Sequence, residues 1–230
     1  MAIKKKAIYY DHKKNIEYFE YKYHIPHHQL PLILSILDSW CAQSDKYPKG
    51  WVDSIYYDNY NSELLEQCTE GYNHKTKFRI RGYNDHYLQA QQKIKNIYGV
   101  IKYKSNIELV KIDENTSPNW ESLTPLQKNN PDFMMIKTHS QKFGPLVPTI
   151  RIKYFRYRYR LYDYRITVDT RIEFFSPNHG IAKRKKHAFL PFHVLEVKTR
   201  QLRPSLPFMG IISLNPVSCS KFMLGLNILE

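Results

Sequence analysis

Basic side chains alternate with apolar ones in the stretch KTKFRIRGY, which begins at Lys75. This alternation predicts a half-buried β-strand with Lys77, Arg79 and Arg81 on one face and apolar side chains on the other. Like charges on one face repel one another unless an anionic group lies among them. The spacing therefore indicates a strand that faces an anionic ligand.

The same kind of strand recurs along the chain, with an apolar face opposite a face rich in Lys, Arg and a few carboxylates. These charged faces are formed by Glu20 and Lys22; Lys93 and Lys95; Lys102 and Lys104; Tyr154, Arg156, Arg158 and Arg160; Arg165, Thr167, Asp169, Arg171 and Glu173; and Glu196, Lys198 and Arg200. We expect Asp169 to orient a nearby arginine, Arg165 or Arg171.

The elements that position these residues are mainly strands. Strands are predicted at 16–25, 52–58, 193–200, two long ones within 149–175, and a meander from 77 to 109. Helices are predicted at 26–43, around SELLEQC, around 120–127, and at the C-terminal SCSKFMLGL, where Ser218 or Ser220 is the candidate N-cap. The proline-rich stretch 113–148 is interpreted as a connection between two halves of one domain.

Two architectures are compatible with strands of this kind. One is an open antiparallel sheet whose charged face is solvated. The other is a closed barrel with its apolar faces outward under helices and its charged faces lining the interior. Desolvated like charges make such an interior costly when it is empty. A barrel of this kind therefore predicts a phosphate-rich ligand.

Composition restricts the class of protein. The chain has 230 residues and a net charge of +14, from 35 Lys and Arg against 21 Asp and Glu, which favours an anionic partner. Three widely spaced cysteines without metal-ligand spacing indicate a reducing compartment, and no secretory signal or membrane span is recognised. We expect a basic N-terminal segment, 1–15, one domain over 16–230, and a cytoplasmic location.

The ordered motifs resemble a known family. They are Glu20 and Lys22 in the first strand, then WVDSIYYD, KFRIRGY, QQKIK, YFRYRYR followed by YRITVDT, VLEVKT, and CSKFMLGL. In this order they are similar to the polyphosphate polymerase domain of the vacuolar transporter chaperone (VTC) family, within the CYTH-like triphosphate tunnel metalloenzymes. The resemblance extends from about residue 16 to residue 227.

This resemblance implies a β-rich α+β fold, an eight-stranded antiparallel β-barrel tunnel with a basic lumen covered by a few helices. It also implies a reaction in which ATP extends a polyphosphate chain with Mn²⁺ or Mg²⁺, with pyrophosphate as a further partner. Nucleic acid is not expected as a partner, and a membrane-anchored partner subunit is compatible with the chain. The implied site residues are Lys22, Arg79, Arg81, Lys93, Arg156, Arg165, Lys198 and Lys221 for phosphate handling and catalysis; Tyr154, Ser220, Lys95 and Arg158 for substrate binding; and Glu196 with Glu20 for the metal.

The chain departs from the expected pattern in two places. In the first strand, Tyr18 stands where the E-x-E-x-K pattern of hydrolytic relatives begins with a glutamate, and Gln91 stands where the family often has a glutamate. Fewer carboxylates give weaker support for activating a water molecule, which argues against hydrolysis.

Three functions stay open at this point: a polymerase, a triphosphatase on the same fold, and a polyphosphate- or anion-binding module without turnover. The basic loop IAKRKKH, which ends at His187, is interpreted as a solvated loop.

Overall fold

The protein is described here by a computed structural model that covers residues 8–11, 16–43, 47–84, 87–97, 99–108, 123–177, 186–210, 214–218 and 220–230. Its strands are β1 Ile8–Asp11, β2 Ile16–Ile25, β3 Ala42–Gln43, β4 Lys49–Asn59, β5 Lys75–Tyr83, β6 Tyr87–Asn96, β7 Gly99–Glu108, β8 Thr124–Pro125, β9 Leu146–Leu161, β10 Tyr164–Phe175, β11 His187–Phe189, β12 His193–Thr199 and β13 Asn215–Pro216. Its helices are α1 Leu30–Trp40, α2 Glu63–Thr69, α3 Pro131–Gln141 and α4 Lys221–Leu229, with short 3₁₀ turns at His27–Gln29 and Pro207–Gly210.

Eight long strands wrap around a shared interior. Antiparallel pairing runs from β7 through β6, β5, β4, β9, β10 and β12 to β2. Between β2 and β7 the described link is the short strand β1, which pairs antiparallel with β2 and meets β7 at one parallel residue pair, Asp11 with Val100. The predicted β-rich α+β class is confirmed, although regular pairing does not close the sheet at this seam.

The outward faces of the strands are apolar and are covered by helices. Ile33 and Leu37 of α1 pack on the outer side of β2, β9, β10 and β12, in a cluster with Ile166 and Val197. On the opposite side, α2 and α3 cover the outer faces of β4 to β7, where Phe78 is fully buried. Because side chains alternate along a strand, this cover turns the charged positions towards the interior.

The C-terminal helix α4 packs inside the ring of strands. Its Phe222, Leu226 and Leu229 form a buried cluster with interior side chains of β4, β9, β10 and β12. Gly225 allows the close approach, since a Cβ at this position would collide with Phe174 and Ile150. One part of the interior is therefore apolar, and the charged part lies beside it.

A β-bulge in β10 changes the predicted face of that strand. The register of β10 with β9 shifts between Thr170 and Glu173, and Arg171 has a positive φ of 49°. A bulge adds one residue to the strand, so the alternation reverses after it. Ile172 therefore packs against α4, whereas Arg171 is exposed. The prediction that Arg171 and Glu173 share a face with Asp169 was wrong for this reason.

Other predicted boundaries also differ. The helix expected at 26–43 begins only at Leu30, after a 3₁₀ turn, and ends at Trp40. Of the helix expected at 120–127, residues 120–122 lie outside the described residues and Thr124–Pro125 is a strand. The helix in this connection is α3, where Asn130 caps the N-terminus by accepting a hydrogen bond from the Phe133 N–H.

Strand β1 lies inside the segment 1–15 that the sequence sets apart, so the sheet extends further towards the N-terminus than predicted. Residues 181–185 of the basic loop IAKRKKH lie outside the described residues.

Candidate polyanion-binding site

The interior has two walls that differ in charge. We call the interior face of β5, β6 and β7 the basic wall, and the interior face of β2, β9, β10 and β12 the balanced wall. Strands β5 and β6 contain no Asp or Glu, and the one carboxylate of β7, Glu108, is exposed at its last position. The described interior carboxylates, Glu20, Asp169 and Glu196, all belong to the balanced wall.

On the basic wall, uncharged groups hold the two arginines. Arg79 donates from Nε to Gln91 Oε1 (2.8 Å) and from Nη1 to Tyr56 Oη (2.8 Å). Arg81, which is buried, donates from Nε to Ser54 Oγ at 2.8 Å. In the described part of the chain no carboxylate pairs with either guanidinium. Their orientation is therefore fixed while their positive charge remains available to an anion.

Lysines extend the basic wall on both sides of these arginines. The cross-strand register places Lys77 opposite Lys93, which in turn lies opposite Lys102. Burial, Lys102 and Lys198 lower the pKa of Lys93 to about 7, although Glu20 opposes this shift. Around Lys93, the negative charge of Glu20 therefore does not offset burial and the neighbouring ammonium groups.

The balanced wall carries a cluster of alternating charges on β2 and β12. Lys198 Nζ lies 2.9 Å from Glu20 Oε2 and 2.8 Å from Glu196 Oε1, and Lys22 Nζ lies 2.9 Å from Glu20 Oε1. Burial and Glu196 would raise the pKa of Glu20, but Lys198, Lys22 and Lys93 outweigh them and lower it to about 2. Both glutamates are therefore ionised at neutral pH.

Asp169 forms a second ion cluster on the balanced wall. Its Oδ1 accepts a hydrogen bond from Arg156 Nε (2.6 Å), and its Oδ2 accepts from Arg156 Nη2 (2.8 Å) and from Lys221 Nζ (2.6 Å). Tyr154 lies beneath both cations, with its ring centroid 5.2 Å from Arg156 Cζ and from Lys221 Nζ. The Asp169 side chain is completely buried, so this cluster fastens α4 to β9 and β10.

A comparison with protein families agrees with this geometry. The model of the VTC domain matches residues 17–230 of the chain. The chain belongs to the VTC domain family. A comparison with curated proteins finds no match.

Solved structures were compared with this VTC domain, and one of them shares its fold over most of the chain. A putative adenylyl cyclase from Hippeastrum, described as having a dominant triphosphatase activity, has a TM-score of 0.54 at 14% identity, covering 92% of this chain and 96% of its own. A putative adenylate cyclase from Bacillus halodurans has a TM-score of 0.47 at 14% identity, covering 78% of each chain. At 14% identity, the similarity to the Hippeastrum protein shows a shared fold alone. No helix in the described ranges is long and apolar enough to cross a membrane.

The structure brings most of the predicted site residues of the VTC domain together. Those that line the common interior are Glu20, Lys22, Arg79, Arg81, Lys93, Lys95, Tyr154, Arg156, Glu196, Lys198 and Lys221. Arg165 is exposed, and Arg158 donates to the backbone carbonyl of Tyr47 at 3.2 Å. These two lie away from the centre of the charged interior.

Two predicted contacts differ from those observed. Ser220 occupies the N-cap position of α4, but its side chain makes no capping hydrogen bond, and its Oγ accepts from Lys77 Nζ at 3.1 Å. Asp169 pairs with Arg156 and Lys221, whereas the sequence suggested Arg165 or Arg171. Both differences arise because the partners come from strands and a helix that are distant in sequence.

Sequence reasoning missed Ser54 and Tyr56 on β4. Ser54 lies directly opposite Arg81, and Tyr56 lies directly opposite Arg79. The period-two alternation of WVDSIYYD places both residues on one face, which is the signal that could have found them. The sequence could not show that this face meets the face of Arg79 and Arg81.

If a divalent metal binds in this interior, Glu20 and Glu196 are the two described carboxylates that would hold it. Mg²⁺ and Mn²⁺ are often bound by one or two carboxylates together with phosphate oxygens. Over the described ranges, no three His, Cys, Asp or Glu side chains come together as a metal site. The pair therefore fits a hard cation when substrate phosphates supply the remaining ligands.

Two phenols of the interior are expected to titrate near neutral pH. Burial raises the pKa of Tyr56 and of Tyr83, but Arg79 and Arg81 outweigh it and lower both values to about 7. Phenolates formed above pH 7 would neutralise these arginines, so tripolyphosphate affinity should fall as pH rises through 7. The pKa of both phenols is lower in the folded protein than in the unfolded chain, where it is near 10. The free energy of unfolding should therefore increase with pH between about 7 and 10.

The phenolate absorbance of the native protein, measured across this pH range, checks the titration. Tyr56→Phe and Tyr83→Phe should each remove part of the step near pH 7, and the double variant should bind tripolyphosphate with less pH dependence. Native absorbance that rises only near pH 10, where ordinary tyrosines titrate, would contradict the prediction.

Proposed function

We propose that this VTC domain is an ATP-dependent polyphosphate polymerase. A terminal phosphate oxygen of the growing chain attacks the γ-phosphorus of ATP, the bond from that phosphorus to the β–γ bridging oxygen breaks, and ADP leaves. The observation that carries this proposal is the basic wall. Its arginines are oriented by Gln91, Tyr56 and Ser54, and no described carboxylate pairs with them.

The reaction needs positioning and charge neutralisation more than covalent chemistry by the protein. The planar forks of Arg79 and Arg81 would each bind two phosphate oxygens, and Lys77 and Lys93 would add mobile point charges. These groups are in place before substrate binds, so little reorganisation is required in the transition state. A linear polyanion can extend along such a wall because its repeating charges meet repeating cations.

On the balanced wall, Glu20 and Glu196 would hold Mg²⁺ or Mn²⁺ together with phosphate oxygens. When bound, the metal supplies additional charge neutralisation at the reacting phosphates. Lys221 and Arg156 are oriented by Asp169, and Tyr154 packs beneath them. These residues would bind and align the phosphates that the basic wall does not reach.

A triphosphatase is the second candidate, and the Hippeastrum protein with the same fold favours it, since it is described as having a dominant triphosphatase activity. Hydrolysis requires a group that activates water. Glu20, Glu196 and Asp169 are each paired with cations, and Gln91 cannot act as a base. This distribution of charge favours transfer to a phosphate over transfer to water.

Product analysis distinguishes the candidates. We expect purified protein with ATP and Mn²⁺ or Mg²⁺ to produce ADP and long polyphosphate chains, seen as a ladder on a urea gel, with little free phosphate. Pyrophosphate is tested as a primer, and chelation of the metal should abolish the products. Free phosphate without chains would assign the triphosphatase. Tight polyphosphate binding without either product would assign a binding module.

The cellular setting is part of the same proposal. We propose that residues 16–230 act as a single domain in the cytoplasm, as the cysteine usage indicates. A membrane-anchored partner subunit is compatible with this arrangement, and nucleic acid is not expected as a partner because the basic residues face the interior.

A further inference from the structure

Four charged residues on β2 and β12 form a square of alternating sign. The register places Lys22 directly opposite Glu196 and Glu20 directly opposite Lys198. The two carboxylates therefore lie on one diagonal of the square and the two ammonium groups lie on the other. Side chains directly opposite in an antiparallel pair are close enough to interact across the strands.

Lys198 contacts both carboxylates of the square. Its Nζ lies 2.9 Å from Glu20 Oε2 and 2.8 Å from Glu196 Oε1, and Lys22 Nζ lies 2.9 Å from Glu20 Oε1. Both carboxylate side chains are nearly inaccessible, with 6% and 11% exposure. The ammonium group of Lys198 thus occupies the position between two buried carboxylates that a bound cation would take.

We propose that Lys198 is a resident cation which a divalent metal displaces, and that the displaced ammonium group then binds substrate phosphate. The nature of the metal and of the anion rests on the proposed function. The exchange itself follows from the contacts. Two carboxylates that share one ammonium group cannot also share a metal ion unless that ammonium group moves away.

The exchange makes metal and phosphate binding cooperative. A metal that enters alone must separate Lys198 from both glutamates and leave the ammonium group in a basic interior. A phosphate that is present gives the ammonium group a new partner and completes the metal coordination. Coupling of this kind is reciprocal, so phosphate raises metal affinity by the same factor by which metal raises phosphate affinity.

Metal affinity without any anion tests the exchange. The probe is Mn²⁺ alone, titrated into the folded protein, with free Mn²⁺ measured by electron paramagnetic resonance. Lys198→Gln removes the competing cation and should bind Mn²⁺ about tenfold more tightly than the charge-matched control Lys104→Gln. Lys104 lies on the basic wall, so its loss removes a charge without freeing either glutamate. Lys198→Arg should retain the weak affinity of the wild type.

A second measurement uses the unmodified protein and does not depend on the folding of a variant. Acetylation of lysine amines, read by mass spectrometry, should increase at Lys198 when Mg²⁺ is added and decrease again with tripolyphosphate. Lys142, which is exposed at the end of the outer helix α3, serves as the internal reference.

Equal Mn²⁺ affinities of the two glutamine variants, or unchanged acetylation of Lys198, would overturn the proposal. Neither measurement contains ATP or depends on turnover. A protein that makes no polymer can therefore still show the exchange, and an active polymerase can fail to show it.

Discussion

Replacing Arg79 with alanine should slow polyphosphate synthesis by about 100- to 1,000-fold, the usual cost of removing one preorganised group that stabilises a transition state. Arg79 is held on the basic wall by Gln91 and Tyr56, and no described carboxylate neutralises it. The alanine variant keeps the rest of the basic wall but loses the guanidinium group that is proposed to bind two phosphate oxygens. The rate of polymer formation and the affinity for tripolyphosphate are the quantities to measure.

Two further variants separate charge from geometry at this position. Arg79→Lys keeps the charge but loses the fork and should recover only part of the rate. Gln91→Glu keeps Arg79 but places a carboxylate at the acceptor of its Nε–H, so phosphate affinity should fall without loss of the arginine. Arg151→Ala is the control, since Arg151 pairs with Asp53 through Nη2 at 2.7 Å on the outer face. Equal losses in Arg79→Ala and Arg151→Ala would contradict a specific role of the basic wall.

Replacing Asp169 with alanine should lower the free energy of unfolding by about 3–5 kcal/mol, which is typical when one partner of a buried ion pair is removed. Asp169 contacts both Arg156 and Lys221, and its side chain is fully buried. Without it, two buried cations repel each other beneath α4. Denaturant unfolding followed by circular dichroism measures the loss.

The control for Asp169→Ala is Asp53→Ala, which removes the carboxylate of the outer ion pair with Arg151. Its side chain is 11% exposed and its partner Arg151 is 18% exposed, so solvent reduces the cost of removing this ion pair. Tripolyphosphate should restore more stability to Asp169→Ala than to Asp53→Ala, because only the first variant leaves uncompensated cations in the interior. Equal destabilisation, or no difference in rescue, would argue against the proposed ion cluster.

Much of the sheet could be predicted because its signal is local. The alternation in KTKFRIRGY correctly separated Arg79 and Arg81 from Phe78, and the structure places these residues on opposite sides of β5. Period-two alternation needs only a few adjacent residues and one buried face. The helix α3 was missed because the proline-rich composition around it favoured a connection, while the Asn130 cap and the burial of Phe133 and Ile136 are what stabilise it.

The alternation pattern could not distinguish an open sheet from a barrel. Both architectures give the same apolar and charged faces, and they differ only in which side the helices cover. In the structure α1 lies against apolar residues such as Ile166 and Val197, which settles that the charged faces turn inwards. That decision depends on contacts between segments far apart in the chain.

Short-range alternation and composition were enough to predict the strands, the positive charge of their polar faces and most of the residues on those faces. The partner of each charged side chain, in contrast, depended on the three-dimensional fold. Arg79 is held by neutral Gln91 and Tyr56, Lys198 is shared by Glu20 and Glu196, and Asp169 joins Arg156 to Lys221. The physical reason is that ion pairing depends on distances of a few ångströms across strand register, a bulge and a packed helix, and a linear sequence contains none of these distances.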